Sequence, residues 1–232
     1  QIDWPVMNKP GGLKYFFEKN LFNDEDTLIF LDPDMIFVKA WDPKVEKGKA
    51  YGQKWKGYLK SYCQKISIQP ELCPARDDEC LMYPFVIKAG DMKKMSDDIE
   101  YFSRKGYFKC ADWMGDMPAY VTAMVKHKLI VETKDNIGVC NNWDNCDDEE
   151  APIMHYCQPI KDKNGEEIWD KRNYDGCGLP PDSSLATNRV DREVLKTLKE
   201  YILLKPKQIN SGQKSTTITS LLGLFGIRKK VR

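Results

Sequence analysis

Hydrophobic and polar positions along this chain switch between a helical and an extended period. Leu13, Phe16, Phe17 and Leu21 recur at helical spacing behind Pro10, which suits a first helical turn, so a helix is predicted over 11–21. A polar turn at 23–26 follows. Thr27-Leu28-Ile29-Phe30-Leu31 is then a short, β-rich, continuously apolar run, the pattern of a strand buried on both faces. It stops at Asp32-Pro33-Asp34, and 35–38 resumes as a second extended stretch. Residues 45–80 are polar, aromatic and cysteine-bearing, and read as loops with short strands. Further strands are predicted at 83–87 and 129–132. A helix over 91–104 turns Met92, Met95, Ile99 and Phe102 inward, and another spans 113–125 around Pro118. Residues 140–151 form an acidic loop, 153–157 a short strand, and turn chemistry punctuates 164–181. Val190, Val194, Leu195, Leu198, Ile202 and Leu203 follow the 3.6 period, which predicts a helix over 190–204.

From residue 205 the composition changes. Residues 205–217 are rich in Lys, Gln, Ser and Thr and read as a linker. The apolar piece 221–227 is too short to span a bilayer, and 228–232 is basic. The expected organisation is a domain over 1–204 followed by a linker and basic tail over 205–232. A weak membrane-surface or partner contact is the functional alternative for that tail.

Composition narrows the class. The chain has 232 residues, 31% of them charged, and a formal net charge of +1. That balance carries no basic excess of the kind a nucleic-acid binder shows, so no nucleic-acid partner is expected. No signal-peptide pattern and no apolar run of about 18 residues is present, and any membrane anchor is expected outside this chain. Eight cysteines, scattered at loop-like positions without tight C-x2-C pairs, favour disulfides in a secretory compartment over zinc, with free buried thiols in a cytosolic protein as the plainer alternative.

The candidate chemistry starts at Asp32-Pro33-Asp34. An apolar strand ending in D-x-D sets two carboxylates at the carboxyl edge of a sheet, where open α/β sheets bind ligands. Two hard oxygen donors suit magnesium or manganese, with a diphosphate supplying further oxygens. A polar strand cap is the plainer alternative. His155, one of two histidines, lies in a short apolar run and is a candidate third ligand. Lys161 could meet a phosphate as a point charge. The other histidine, His127, sits between Lys126 and Lys128, reads as exposed and has no assigned role. Asp112-Trp113-Met114-Gly115-Asp116 places acids around an aromatic at a loop-to-helix junction. There Asp116 could face a sugar and Trp113 stack on one. The plainer reading makes Asp116 a helix N-terminal acid and Trp113 core.

Four ordered patches add a resemblance. Asn8-Lys9-Pro10 precedes a helix, and Leu28-Ile29-Phe30-Leu31-Asp32-Pro33-Asp34-Met35-Ile36 follows it. Trp113-Met114-Gly115-Asp116-Met117-Pro118-Ala119-Tyr120 comes next, then Ile153-Met154-His155-Tyr156. The set, spread over roughly residues 5–185, resembles the peptidyl hydroxyproline O-arabinosyltransferases and the related peptidyl serine α-galactosyltransferases. Those enzymes show "NKP" or "NRP" before "ILDPDMI", then "WxxEMxxY" and a late "hxHY" strand. Here Asp116 stands where Glu is usual. More distant retaining transferases carry H-x-x-G-x-x-K; His155 and Lys161 keep that spacing, with Gln158 in place of the glycine.

The resemblance implies an α/β fold of GT-A type, a twisted mixed sheet flanked by helices. The amino-terminal βαβ unit that grips the nucleotide in such folds would precede Asn8, and almost nothing of it is present. It implies a retaining, metal-dependent transferase of the Golgi or ER lumen. Such an enzyme moves arabinose or galactose from a UDP-sugar to hydroxyproline or serine hydroxyls of an acceptor polypeptide. Asp32, Asp34 and His155 would hold Mn2+ or Mg2+. Asp32, Lys161, Asn8, Lys9 and Trp113 would meet the nucleotide sugar, and Asp116 would be catalytic. A non-catalytic transferase-like interaction module is the rival expectation, favoured by the missing upstream unit and by Gln158.

Overall fold

A computed structural model describes residues 8–54, 81–110, 116–135, 137–143, 146, 148–173, 178–210 and 227–228. In chain order the described elements are α1 (Asn8–Glu18), β1 (Thr27–Phe30), β2 (Met35–Phe37), β3 (Lys49–Lys54), β4 (Leu81–Lys88), α2 (Ala89–Cys110), α3 (Asp116–Lys126), β5 (Ile130–Lys134), β6 (Val139–Asn141), β7 (Ile153–His155), β8 (Ile160–Lys161), β9 (Glu167–Trp169), α4 (Arg189–Asn210) and β10 (Ile227–Arg228). The architecture is mixed α/β, with sheets of mixed orientation. Two units divide it, the chain crossing between them after Asp32, Asp42, Ile137 and Leu221.

The first unit holds a five-stranded sheet in the order β10-β1-β4-β3-β5. Its pairings are antiparallel except for β3 with β5. Leu28, Ile29 and Phe30 of β1 are all buried, although neighbours on a strand point to opposite faces. Both faces of β1 are therefore covered, as its unbroken apolar run predicts. An aromatic stack joins strands to helix: Phe30 lies on Phe85 with centroids 4.6 Å apart, and Tyr120 of α3 reaches Phe85 at 5.3 Å. Burying each such ring contributes about 2–3 kcal/mol. In α2, Met92, Met95, Ile99 and Phe102 are buried as their spacing requires. Its first amides, those of Ala89 and Gly90, donate to the Asp26 and Asp24 carbonyls at 2.9 Å. The loop ahead of β1 thus supplies the partners a helix start lacks.

The second unit holds a three-stranded sheet in the order β2-β7-β6, the hairpin of β8 and β9, and α4. Its core gathers Met154, Tyr156, Ile160 and Trp169 against Val190, Val194 and Leu195 of α4. Cys140 and Cys146 form a disulfide. Cys63, Cys73, Cys80 and Cys177 lie outside the described residues, and the side chain of Cys110 does too.

Asn188 occupies the position before α4. Its Oδ1 accepts from the Asp191 amide at 2.8 Å, and its Nδ2 donates to the Asp191 carboxylate at 2.8 Å. This reciprocal pair satisfies one of the helix's open donors. Asn188→Ala is expected to lower stability by about 1 kcal/mol, read from urea midpoints at unchanged m-value.

Two expectations about the end of the chain change. Helix α4 runs to Asn210, so residues 205–210 are helical rather than linker. A polar Lys- and Gln-bearing composition marks solvent exposure, but those residues are good helix formers. Ile227 and Arg228, predicted as tail, pair with Phe30 and Ile29 of β1. The other edge of β1 is taken by β4, so the returning segment fills a strand edge that would otherwise offer unpaired backbone groups. Among the described residues, no helix is long and apolar enough to cross a membrane.

Candidate functional site

The Asp32-Pro33-Asp34 triplet straddles the boundary between the units: Asp32 closes a segment of the first, and Asp34 belongs to the second. The two carboxylates remain chain neighbours, their Cα atoms at most about 7 Å apart.

In the second unit, Asp34 ends the turn that leads into β2. Its carbonyl accepts from the Tyr156 amide at 3.0 Å, and Met35 then pairs with His155. That register brings the Asp34 carboxylate to the His155 ring. Oδ1 of Asp34 lies 3.3 Å from Nε2 of His155, and the imidazole is only 6% exposed. On the other side of β7, Asn141 pairs with His155 in the parallel register, and its Oδ1 lies 2.9 Å from Nδ1. The amide oxygen pairs with Nδ1, so Nε2 is the ring nitrogen directed at the Asp34 carboxylate. Nε2 and the Asp34 carboxylate oxygen form a facing pair. A divalent cation bonded to both at about 2.1 Å, with an angle of 90–110°, sets its donor atoms about 3.0–3.4 Å apart. The observed separation fits. The contact from Asn141 fixes the orientation of the imidazole, as an outer hydrogen bond does for histidines in metal sites.

The second oxygen of Asp34 is taken by the Lys171 ammonium. Burial alone would raise the Asp34 carboxyl. The hydrogen bond and charge of His155, joined by Lys171, outweigh it and hold the group well below the usual carboxylate range. Tyr156, beside them, has its phenol pushed up by burial and by the Asp34 charge. The edge of Trp143, half exposed, meets the His155 ring at 5.1 Å between centroids.

In the first unit, Lys9 joins two acids. Its ammonium is 2.5 Å from Asp32 Oδ1 and 3.2 Å from Asp116 Oδ2, and it lies 4.0 Å from the Tyr83 ring centroid. The Tyr83 hydroxyl donates to Asp116 Oδ2 at 2.8 Å. Desolvation pulls the Lys9 pKa down, but the charges of Asp116 and Asp32 outweigh it and raise the value. Burial and then Asp116 drive the Tyr83 phenol far up, so it stays a donor. Asp116 begins α3 and is 3% exposed, so it serves both as a helix N-terminal acid and as a buried ion-pair partner.

The structure therefore brings Asp34 to His155, and Asp32 and Asp116 to Lys9. Lys9 is engaged with the Asp32 and Asp116 carboxylates. Lys161 is exposed on β8, its carbonyl accepting from the Thr187 amide, and the lysine beside Asp34 is Lys171. Gln158 holds Asn142: its amide donates to Asn142 Oδ1 at 3.2 Å, and its carbonyl accepts from Asn142 Nδ2 at 2.8 Å. The side chain of Asn8 and the whole of Trp113 lie outside the described residues. His127 is half-buried rather than exposed, its Nε2 lying 2.8 Å from Asp98, because the turn after α3 carries it back onto α2. Lys171, Asn141 and Tyr83 had no sequence signal: each reaches its partner through strand pairing or a hairpin, not through spacing.

No family model matches this chain, and neither does any curated protein or solved structure.

Proposed function

We propose that this chain carries the metal and nucleotide-sugar site of a retaining glycosyltransferase of GT-A type. The reaction would transfer arabinose or galactose from a UDP-sugar to hydroxyproline or serine hydroxyls of secreted polypeptides. The observation that carries this reading is the meeting of Asp34 and His155 across β2 and β7, oriented by Asn141. Asp34 and His155 make a carboxylate–imidazole donor pair suited to manganese or magnesium, and Asp32, two residues before Asp34 in the chain, is the proposed second carboxylate. Such a cation supplies Lewis-acid neutralisation of the charge on a departing nucleoside diphosphate. Asn141 fixes the orientation of the imidazole. Tyr83 and Lys9 fix the Asp116 carboxylate, which in this reading sets negative charge against the oxocarbenium-like centre of the donor sugar. The disulfide between Cys140 and Cys146 supports a Golgi or ER lumenal setting.

One observation favours a second reading, a non-catalytic transferase-like interaction module. Each of the three carboxylates already has a lysine ammonium: Asp32 and Asp116 share Lys9, and Asp34 has Lys171. Calorimetric titration separates the two. Manganese at saturation is expected to raise UDP affinity at least about tenfold. Asp34→Ala is expected to remove that gain, lowering UDP affinity in manganese by up to about a hundredfold. UDP affinity indifferent to manganese in the native chain, and unchanged by Asp34→Ala, would leave the interaction module as the reading.

A further inference from the structure

We propose that Lys171 is a displaceable counter-cation, resting on Asp34 until a divalent metal arrives and then turning to the diphosphate of the nucleotide. This rests on the metal-site reading above and adds the residue that couples metal to nucleotide.

The backbone beneath Lys171 is fixed. Asp170 accepts from the Arg172 amide through its side chain at 2.9 Å and from the Asn173 amide through its carbonyl at 3.0 Å, closing a turn. Trp169, just before it, packs on Tyr156 with centroids 5.9 Å apart. The neighbouring cation, Arg172, is committed to the Asp170 carboxylate at 2.8 Å. Lys171 is thus a flexible arm on a rigid base, with its side chain 30% exposed. Its ammonium also lies 5.6 Å from the Tyr156 ring centroid, close enough for attraction by the ring face.

Charge explains why it should leave. Asp34 carries one negative charge, His155 as a metal ligand carries none, and Lys171 balances the carboxylate. A divalent cation added to that neutral set leaves two positive charges uncompensated at short range. Metal alone is then held weakly. A nucleoside diphosphate removes the excess, and it offers the lysine a new partner that an ammonium meets as a point charge. Metal and nucleotide should therefore bind with positive coupling, and that coupling should reside in Lys171.

The test is calorimetry on the full chain with manganese alone, and with UDP in saturating manganese. Lys171→Met, which keeps the stem and removes the charge, is expected to bind manganese alone about tenfold more tightly than the native chain. It should bind UDP in manganese about tenfold more weakly. Lys171→Arg, which keeps the charge, should leave manganese affinity close to native. The opposite signs of the two shifts distinguish this role from a structural one, because a misfolded variant loses both affinities. If Lys171→Met leaves manganese affinity unchanged while Asp34→Asn abolishes it, the counter-cation is refuted and the metal site stands. If manganese binds neither the native chain nor Lys171→Met, the metal site itself is refuted.

Discussion

Replacing Lys9 by methionine is expected to lower the unfolding free energy by about 3–5 kcal/mol, the usual loss when one partner of a buried ion pair is removed. Lys9 is the shared cation of Asp32 and Asp116, and the side chains of Lys9 and Asp116 are 16% and 4% exposed. Without it, two carboxylates face each other with the Tyr83 hydroxyl as the remaining donor to Asp116. For a domain of this size the loss amounts to a fall of about 10 °C in melting temperature. The pH dependence has a definite sign. The folded pKa of Lys9 is raised, by Asp116 and Asp32 against desolvation. Its contribution is therefore complete below the ordinary lysine value near 10.4 and is lost as pH rises through the folded value. The gap between native and Lys9→Met should hold from about pH 7 up to the ordinary lysine value and close only as pH rises through the higher folded value. Asp116→Asn in the Lys9→Met background should recover part of the loss, a coupling that a double-mutant cycle measures. A loss below about 1 kcal/mol would show that water, not burial, screens the three charges.

Gly138→Ala is expected to destabilise the second unit by about 3 kcal/mol or more. Gly138 has φ +84°, and a Cβ there would stand 2.5 Å from Pro152 Cδ. The left-handed backbone disfavours any side-chain-bearing residue by about 1–3 kcal/mol, and overpacking adds a comparable amount. Gly138 enters β6, and its carbonyl accepts from the Ile153 amide at 3.1 Å at the start of β7. Strain at this point is transmitted to the pairing of Asn141 with His155, three residues on. The measurable consequence is faster amide exchange along β6 and β7, with weaker manganese binding as its companion. Native-like exchange there would show that Pro152 moves aside without disturbing the sheet.

These two residues mark what can be read from a one-dimensional pattern. Lys9 lies in the Asn8-Lys9-Pro10 motif, so its importance is visible, but the motif points to a nucleotide and the side chain goes to two carboxylates. Gly138 carries no motif at all. A Cβ there would meet Pro152, 14 residues later, a contact that no local pattern shows.

Periodicity also had a limited reach. It placed β1 as a doubly covered strand and set the buried faces of α2 and of the first turns of α4, because those features depend on residues within one or two turns of each other; Leu203, further along the same period, is exposed. It missed the helical character of 205–210 and the return of Ile227 and Arg228 to β1, because composition reports exposure while strand pairing is a contact between distant segments.

Asp34 and His155 show the division most clearly. Residue type alone marked both as candidate metal ligands, beside the plainer reading of the Asp32-Pro33-Asp34 triplet as a polar strand cap. Their meeting at 3.3 Å, the orientation of the imidazole by Asn141 and the presence of Lys171 on Asp34 came only from the folded chain. The physical reason is that ligand chemistry resides in a single side chain, whereas ligand geometry is set by the register of β2, β7 and β6. A slip of one residue in that register would turn every one of those side chains to the opposite face.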